Sequence, residues 1–186
     1  MNDLKKMIET VINENREALE NISEEDICRY LEMIIQAKRV FFVGVGRVLL
    51  SLEAIAKRYA HLGIDTVIVG QITEPAITAE DVLIVGSGSG ETFFPLGIAE
   101  KAGEIGASVI HIGSNPDSSM RQYADLFLRI PVASRANKRD EIRSRQPMTS
   151  LFEQALLLFG DVTALLMIQK EQINLEDLWL CHANLE

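Results

Sequence analysis

The chain has 186 residues, 47% of them hydrophobic, and a formal net charge of −9. That length suits one domain with a sizeable core, and the apolar content excludes a disordered chain. The acidic balance argues against a nucleic-acid partner, whose phosphates are neutralised by Lys and Arg, so an anionic ligand has to be held by local donors against the overall field.

Two amphipathic helical patterns open the chain. Leu4, Ile8, Val11 and Ile12 recur at helical spacing in the first. Ser23 can cap the second, whose apolar face is Ile27, Tyr30, Leu31, Ile34 and Ile35. The start, Met1-Asn2-Asp3-Leu4-Lys5-Lys6, lacks the apolar stretch of a signal peptide, and no segment reads as long enough to span a membrane. A cytoplasmic protein with no membrane partner is the expectation. Cys28 and Cys181 lie far apart, resemble no zinc spacing and read as two reduced thiols.

Strand and helix then alternate. Val40–Val43 is an apolar strand, followed by the loop Gly44-Val45-Gly46-Arg47 and a helix to about Leu62, with Gly63 as its stop. Residues 66–69 form a short strand before a loop containing Pro75. A third strand, 82–85, leads through Ser87-Gly88-Ser89-Gly90-Glu91-Thr92 into a helix ending near Gly106. Strands at 108–112 and 126–130 follow, with a short helix at about 118–124 between them. The segment 131–146 is polar and charged, too long for an ordinary connection, and is either mobile or functional. Pro147 suits the first turn of a long helix to about Lys170. Leu151, Phe152, Ala155, Leu158, Phe159, Val162, Leu165 and Leu166 make that helix apolar around much of its circumference, so it is deeply buried or shared between subunits. A last short helix, about 175–180, precedes the tail. No internal repeat or low-complexity segment is present.

This alternation predicts an α/β fold, a doubly wound parallel sheet of five strands in the order 2-1-3-4-5 flanked by helices. Residues 1–37 and 147–186 are its helical extensions, around a core at 38–130 and a polar linker at 131–146. Ligands bind such sheets beyond the C-terminal ends of strands one and three, where the crossovers diverge to opposite faces. Both glycine-containing loops leave those two strands. Ser87, Ser89 and Thr92 offer hydroxyls, and the flexible backbone of the loop offers N–H groups at a helix N-terminus, a cradle for a phosphate. A dinucleotide fits less well. The third glycine of its fingerprint would fall at Leu49, Gly70 and Gln71 stand where a ribose-binding carboxylate is expected, and there is no Walker-type sequence.

Glu153 is the first candidate for an acid/base group, a carboxylate in an otherwise apolar helical stretch. His182 is the second, as a proton relay or hydroxyl contact, since imidazole acts in either direction near neutrality. His61 reads as structural, and His111, within a strand pattern, is given no role.

With these residues in view, the chain resembles the sugar isomerase (SIS) domain family, and within it the 6-phospho-3-hexuloisomerases, over nearly its whole length. The serine loop 87–92 is shared by SIS domains generally. Narrower likenesses are Arg58 with His61-Leu62-Gly63, Gln146-Pro147-Met148 with Ser150-Leu151-Phe152-Glu153-Gln154, and the terminal His182-Ala183-Asn184-Leu185-Glu186. The resemblance implies a cytoplasmic, typically tetrameric enzyme that interconverts hex-3-ulose 6-phosphate and fructose 6-phosphate through an enediol. It implies no cofactor or metal, Glu153 and His182 as catalytic groups, and Gly46, Arg47, Ser87, Gly88, Ser89 and Thr92 as sugar-phosphate contacts. The first loop departs from the family's Gly-Arg-Ser-Gly-Leu and the lysine that follows it. Val48 stands for the serine, Leu49 for the glycine and Glu53 for the lysine, while Thr149 replaces a usual glycine. Two alternatives therefore stand beside the hexuloisomerase: a non-catalytic phosphosugar-binding module, and an SIS isomerase for another sugar phosphate.

Overall fold

The computed structural model describes residues 2–133 and 140–185. Helices α1 (Asn2–Glu20) and α2 (Glu24–Gln36) come first, and the Ser23 hydroxyl caps α2 by accepting from the Asp26 N–H. The α/β core then runs β1 (Val40–Val43), α3 (Gly46–His61), β2 (Thr66–Ile68), β3 (Val82–Gly86), α4 (Phe93–Ile105), β4 (Ser108–Gly113) and β5 (Leu126–Arg129). All strand pairings are parallel, in the order β2-β1-β3-β4-β5, as predicted. Strand limits shift by one residue at several ends, although the Val69 N–H still donates to Phe42 and the Ile130 N–H to Gly113, prolonging the ladders.

Because both faces of this sheet are covered, its strands are continuous apolar runs rather than alternating ones. Val40, Phe42, Val82, Ile84, Ile110 and Ile112 face the side where α2, α3 and α5 (Ser150–Lys170) pack. Phe41, Val43, Leu83 and Val85 point the other way, against Ala99 and Ala102 of α4 and Met120. Crossover helices α3 and α4 thus lie on opposite faces, which opens a crevice beyond the ends of β1 and β3.

Three expectations need correction. Pro147 is not in the first turn of the long helix. Met148 takes a left-handed φ of 57°, and α5 starts only at Ser150, whose N–H donates to Pro147 O. The short segments near 118–124 and 175–180 are 3₁₀ turns at Ser119–Gln122 and Asp177–Cys181, each too brief to complete an α-helical ladder. Finally, Ser150–Glu171 is long and apolar enough to cross a membrane by length and composition. It is largely a core helix here, with Phe152, Ala155, Leu156 and Phe159 buried and Glu153 and Thr163 buried beside them. Gly160 lets α5 approach α3 so closely that a Cβ there would lie 2.2 Å from Ile55 Cγ1. A buried chain of hydroxyls, Tyr30 to Tyr59 (2.9 Å) and Tyr59 to Thr163 (2.6 Å), fixes α5 against α2 and α3. Burial pushes the Tyr59 phenol up to about 12, so the chain is uncharged.

Most of the charged run from Ser134 that was expected to be mobile or functional, residues 134–139, lies outside the described residues. Its flanks pair through Ile142 N–H to Pro131 O and Ala133 N–H to Ile142 O, both 2.8 Å.

Candidate active site

The crevice beyond β1 and β3 encloses about 550 Å³. One wall is the β1–α3 loop. Gly46 holds a φ of 58° as the chain turns into α3, a conformation L-residues avoid, and presents Arg47 to the opening. Val48 packs on the floor, where a Cβ on Gly86 would lie 2.8 Å from its Cγ1. The departure from serine therefore puts a methyl group against the end of β3. Glu53 lies on the exposed part of α3 and does not line the crevice.

The second wall is the β3–α4 loop, and its hydroxyls are already oriented. Ser87 Oγ accepts from the Gly90 N–H (3.1 Å) and lies 3.2 Å from Thr92 Oγ1, while Ser89 Oγ accepts from the Glu91 N–H (3.2 Å). Each acceptor role leaves a hydroxyl hydrogen to give to a ligand or a neighbour. Gly90 turns the loop at a φ of 66°, and a Cβ there would meet Ser118 Oγ at 2.3 Å. Thr92 is the N-cap of α4 but makes no side-chain capping bond, so the helix N-terminus remains open towards an anion.

His111 supports this loop from beneath, and sequence reasoning missed it. Its Nε2 lies 2.9 Å from Ser87 O, which can only accept, so Nε2 carries the proton. Burial pushes the imidazole down to about 4, against a smaller upward pull from the bond to Ser87, with Arg121 lowering it further. The ring is therefore neutral at pH 7. The signal was the register that sets His111 beside Val85, legible only once the strands are paired.

The third wall is the first turn of α5. Glu153 is only 7% exposed, yet it faces the crevice. Its Oε2 accepts from Arg47 Nε in an ion pair across the opening, and its Oε1 accepts from Thr149 Oγ1 at 2.7 Å. The Ser51 hydroxyl donates to Glu153 O (2.8 Å), tying the turn to α3. Thr149 thus has a positive task where the family usually has glycine; its i, i+4 spacing to Glu153 was the available signal. Each carboxylate oxygen keeps acceptor capacity beyond its one partner, enough to take a proton from a bound molecule.

Gly46, Arg47, Ser87, Gly88, Ser89, Thr92 and Glu153 all line this one crevice. His182 does not. It lies with Arg58, His61 and Trp179 at a separate cleft of about 290 Å³, its ring stacked 5.0 Å from that of His61. Among the described residues no group of three His, Cys, Asp or Glu is arranged to hold a metal ion.

Residues 33–158 match the SIS domain family. A 3-hexulose-6-phosphate isomerase of Bacillus subtilis (strain 168) is 36% identical over 176 residues, which span 95% of each chain. One of Mycobacterium gastri is 35% identical over 184 residues, 99% of this chain and 92% of that protein. The crystal structure of a hypothetical protein from Methanococcus jannaschii, for which a molecular function of 3-hexulose-6-phosphate isomerase was inferred, superposes with a TM-score of 0.83. The identity is 26%, and the overlap covers 97% of this chain and 99% of that one. On the family match, these likenesses and the sheet order they accompany, the chain belongs to the SIS domain family.

Proposed function

We propose that the protein is a ketose-phosphate isomerase interconverting hex-3-ulose 6-phosphate and fructose 6-phosphate. The phosphate sits in the β3–α4 cradle, bound by Ser87, Ser89 and Thr92 and the Gly88 backbone, with Gly46 and Arg47 closing from the β1–α3 loop. Glu153 removes the proton from C2, breaking the C2–H bond, and the electron pair forms the C2–C3 enediol. The carbonyl oxygen on C3 gains a proton, the C2 hydroxyl loses one, and a proton returns to C3 from Glu153. Arg47, on the same carboxylate, offers a positive charge to the developing enediolate. No cofactor and no metal enters this scheme.

The observation that carries this reading is the sharing of one crevice by a hydroxyl-lined loop at a helix N-terminus and a buried, partnered carboxylate. The relatives named as 3-hexulose-6-phosphate isomerases supply the substrate. The test is to incubate the pure protein with hex-3-ulose 6-phosphate and follow fructose 6-phosphate. Product formation is expected; a protein that binds the sugar phosphate and neither converts it nor exchanges its carbon-bound hydrogen with solvent overturns the reading. That outcome is the second reading, a phosphosugar-binding module, and the Val48 methyl on the crevice floor is the observation in its favour.

The same reading extends to assembly as a homotetramer in the cytoplasm. Leu4, Met7, Ile8 and Ile12 expose the apolar stripe of α1, and Leu165 of α5 is 65% exposed. Such stripes are covered when helices pack between subunits. His182, remote from Glu153 in its own chain, then serves the crevice of a neighbour. Light scattering at micromolar concentration checks this: a monodisperse monomer removes both the tetramer and the shared site.

A further inference from the structure

Helix α1 is joined to the start of α5 by a closed ring of hydrogen bonds beside Glu153. The Glu14 carboxylate accepts from Ser144 Oγ (2.6 Å), the Arg145 N–H (2.9 Å) and Gln146 Nε2 (3.0 Å). Gln146 Oε1 accepts from Gln154 Nε2 (2.8 Å), and Gln154 Oε1 accepts from Asn15 Nδ2 (2.7 Å), which returns the chain of bonds to α1. Asn15 is 5% exposed and is itself anchored to Val11 O at 2.8 Å. Burial pulls the Glu14 carboxyl up, but the bonds from Ser144, Arg145 and Gln146 and the charge of Arg145 outweigh it and hold the group below the usual carboxylate range. Glu14 is therefore an ionised acceptor at neutral pH.

The gripped turn leads directly to the catalytic carboxylate. After Gln146 come Pro147, the left-handed Met148 and Thr149, whose hydroxyl donates to Glu153 Oε1. Gln154, the other end of the ring, is the residue after Glu153. A non-glycine residue in the left-handed region costs about 1 kcal/mol and persists only where its surroundings determine it. The bonds to Glu14 anchor the chain two residues before the strained residue.

We infer that Glu14 is a positioning residue for Glu153: through the 144–146 turn and Gln154 it sets where the carboxylate lies against C2 of the substrate. This rests on the reading of Glu153 as the base. Glu14→Gln removes an acceptor, because one amide group cannot receive all three donors. Combining Glu14→Gln with Gln146→Glu exchanges donor and acceptor and rebuilds the ring. The new amide at position 14 donates to the new carboxylate at 146, which still accepts from Gln154, and the Ser144 hydroxyl turns from donor to acceptor.

The experiment measures kcat and KM for hex-3-ulose 6-phosphate together with the carboxyl ¹³C resonance of Glu153, assigned by its loss in Glu153→Gln. In Glu14→Gln, kcat is expected to fall about tenfold with KM within about twofold, since the ring does not touch the phosphate cradle. The Glu153 resonance moves, and the double variant restores both. If Glu14→Gln does not fold, Ser144→Ala, which removes one of the bonds, is expected to move the same resonance. A folded single variant with wild-type kcat and an unmoved Glu153 resonance overturns the inference. So does a double variant that regains thermal stability without regaining the Glu153 resonance. If the wild type turns over no substrate, the isomerase reading falls, and the resonance alone still decides whether Glu14 positions Glu153.

Discussion

At the scale of single residues, the proposed chemistry assigns binding and turnover to different contacts. Glu153 accepts from Arg47 and Thr149 and belongs to α5, whereas the proposed phosphate cradle belongs to the β3–α4 loop. Glu153→Gln keeps volume and hydrogen-bonding reach but cannot accept the C2 proton. It is expected to abolish isomerisation while leaving the affinity for fructose 6-phosphate nearly intact, as calorimetry and a product assay will show. Ser89→Ala should do the converse. Its hydroxyl already accepts from the Glu91 N–H and keeps one hydrogen to donate, so its loss weakens phosphosugar binding by about 1–2 kcal/mol. Unchanged affinity in that variant would move the phosphate elsewhere. Thr149 and Val48 mark the limit of reading residues one at a time. Both stood out as departures in the sequence, yet only the fold assigns one to the carboxylate and the other to the crevice floor at the end of β3.

At the scale of elements, the site depends on how closely α5 lies against α3. The helical pattern of α5 was plain, but its apolar residues surround so much of the helix that periodicity could not say which side faces the sheet. Gly160 decides it. In a free helix, glycine to alanine would stabilise by about 1 kcal/mol. Here the added Cβ would lie 2.2 Å from Ile55 Cγ1 and 3.2 Å from Ile55 Cβ, and because Cβ does not move with χ1, a rotamer change alone leaves a tight contact. Gly160→Ala is therefore expected to lower stability by about 1–3 kcal/mol in denaturant titration. Ile55→Ala, destabilising by itself, should cost much less in the Gly160→Ala background. Additive losses in that double-mutant cycle would show that the two helices do not interlock here.

At the scale of the whole molecule, one buried imidazole couples the sheet to acid stability. His111 is held neutral with a pKa of about 4, below the ordinary 6.5. Between those values the unfolded chain binds a proton that the folded one excludes, so stability rises with pH across this interval and is lost as pH falls through it. The loss is on the order of 3 kcal/mol. His111→Gln keeps an amide N–H for Ser87 O and has no proton to gain. Its thermal midpoint should stay nearly flat from pH 6.5 to about 5, where the wild type declines. A parallel decline in both proteins would assign the acid sensitivity to other groups. Below this range the carboxylates held low, Glu14 and then Asp81, take over in both. Burial pulls the Asp81 carboxyl up, but bonds from Arg39 and Thr78 hold it below the usual range, so its contribution is lost only in stronger acid.

The strand order, the two loops that leave β1 and β3, and Glu153 as a candidate were all legible in the sequence. Apolar runs bounded by glycine-rich turns specify a parallel sheet, and right-handed crossovers leave few ways to order five strands. Three things were not legible. The Met148 backbone reversal places the start of α5 after Pro147 rather than at it, and the 144–146 turn before it is held by Glu14 from 130 or so residues away. His111 beneath Ser87 depends on strand register. The separation of His182 from Glu153 within one chain depends on where the last 3₁₀ turn docks, beside Arg58 and His61. Local pattern fixes each element because its causes lie within a few residues. Which elements meet is set by contacts between residues far apart in the chain, and those exist only once the sheet has assembled.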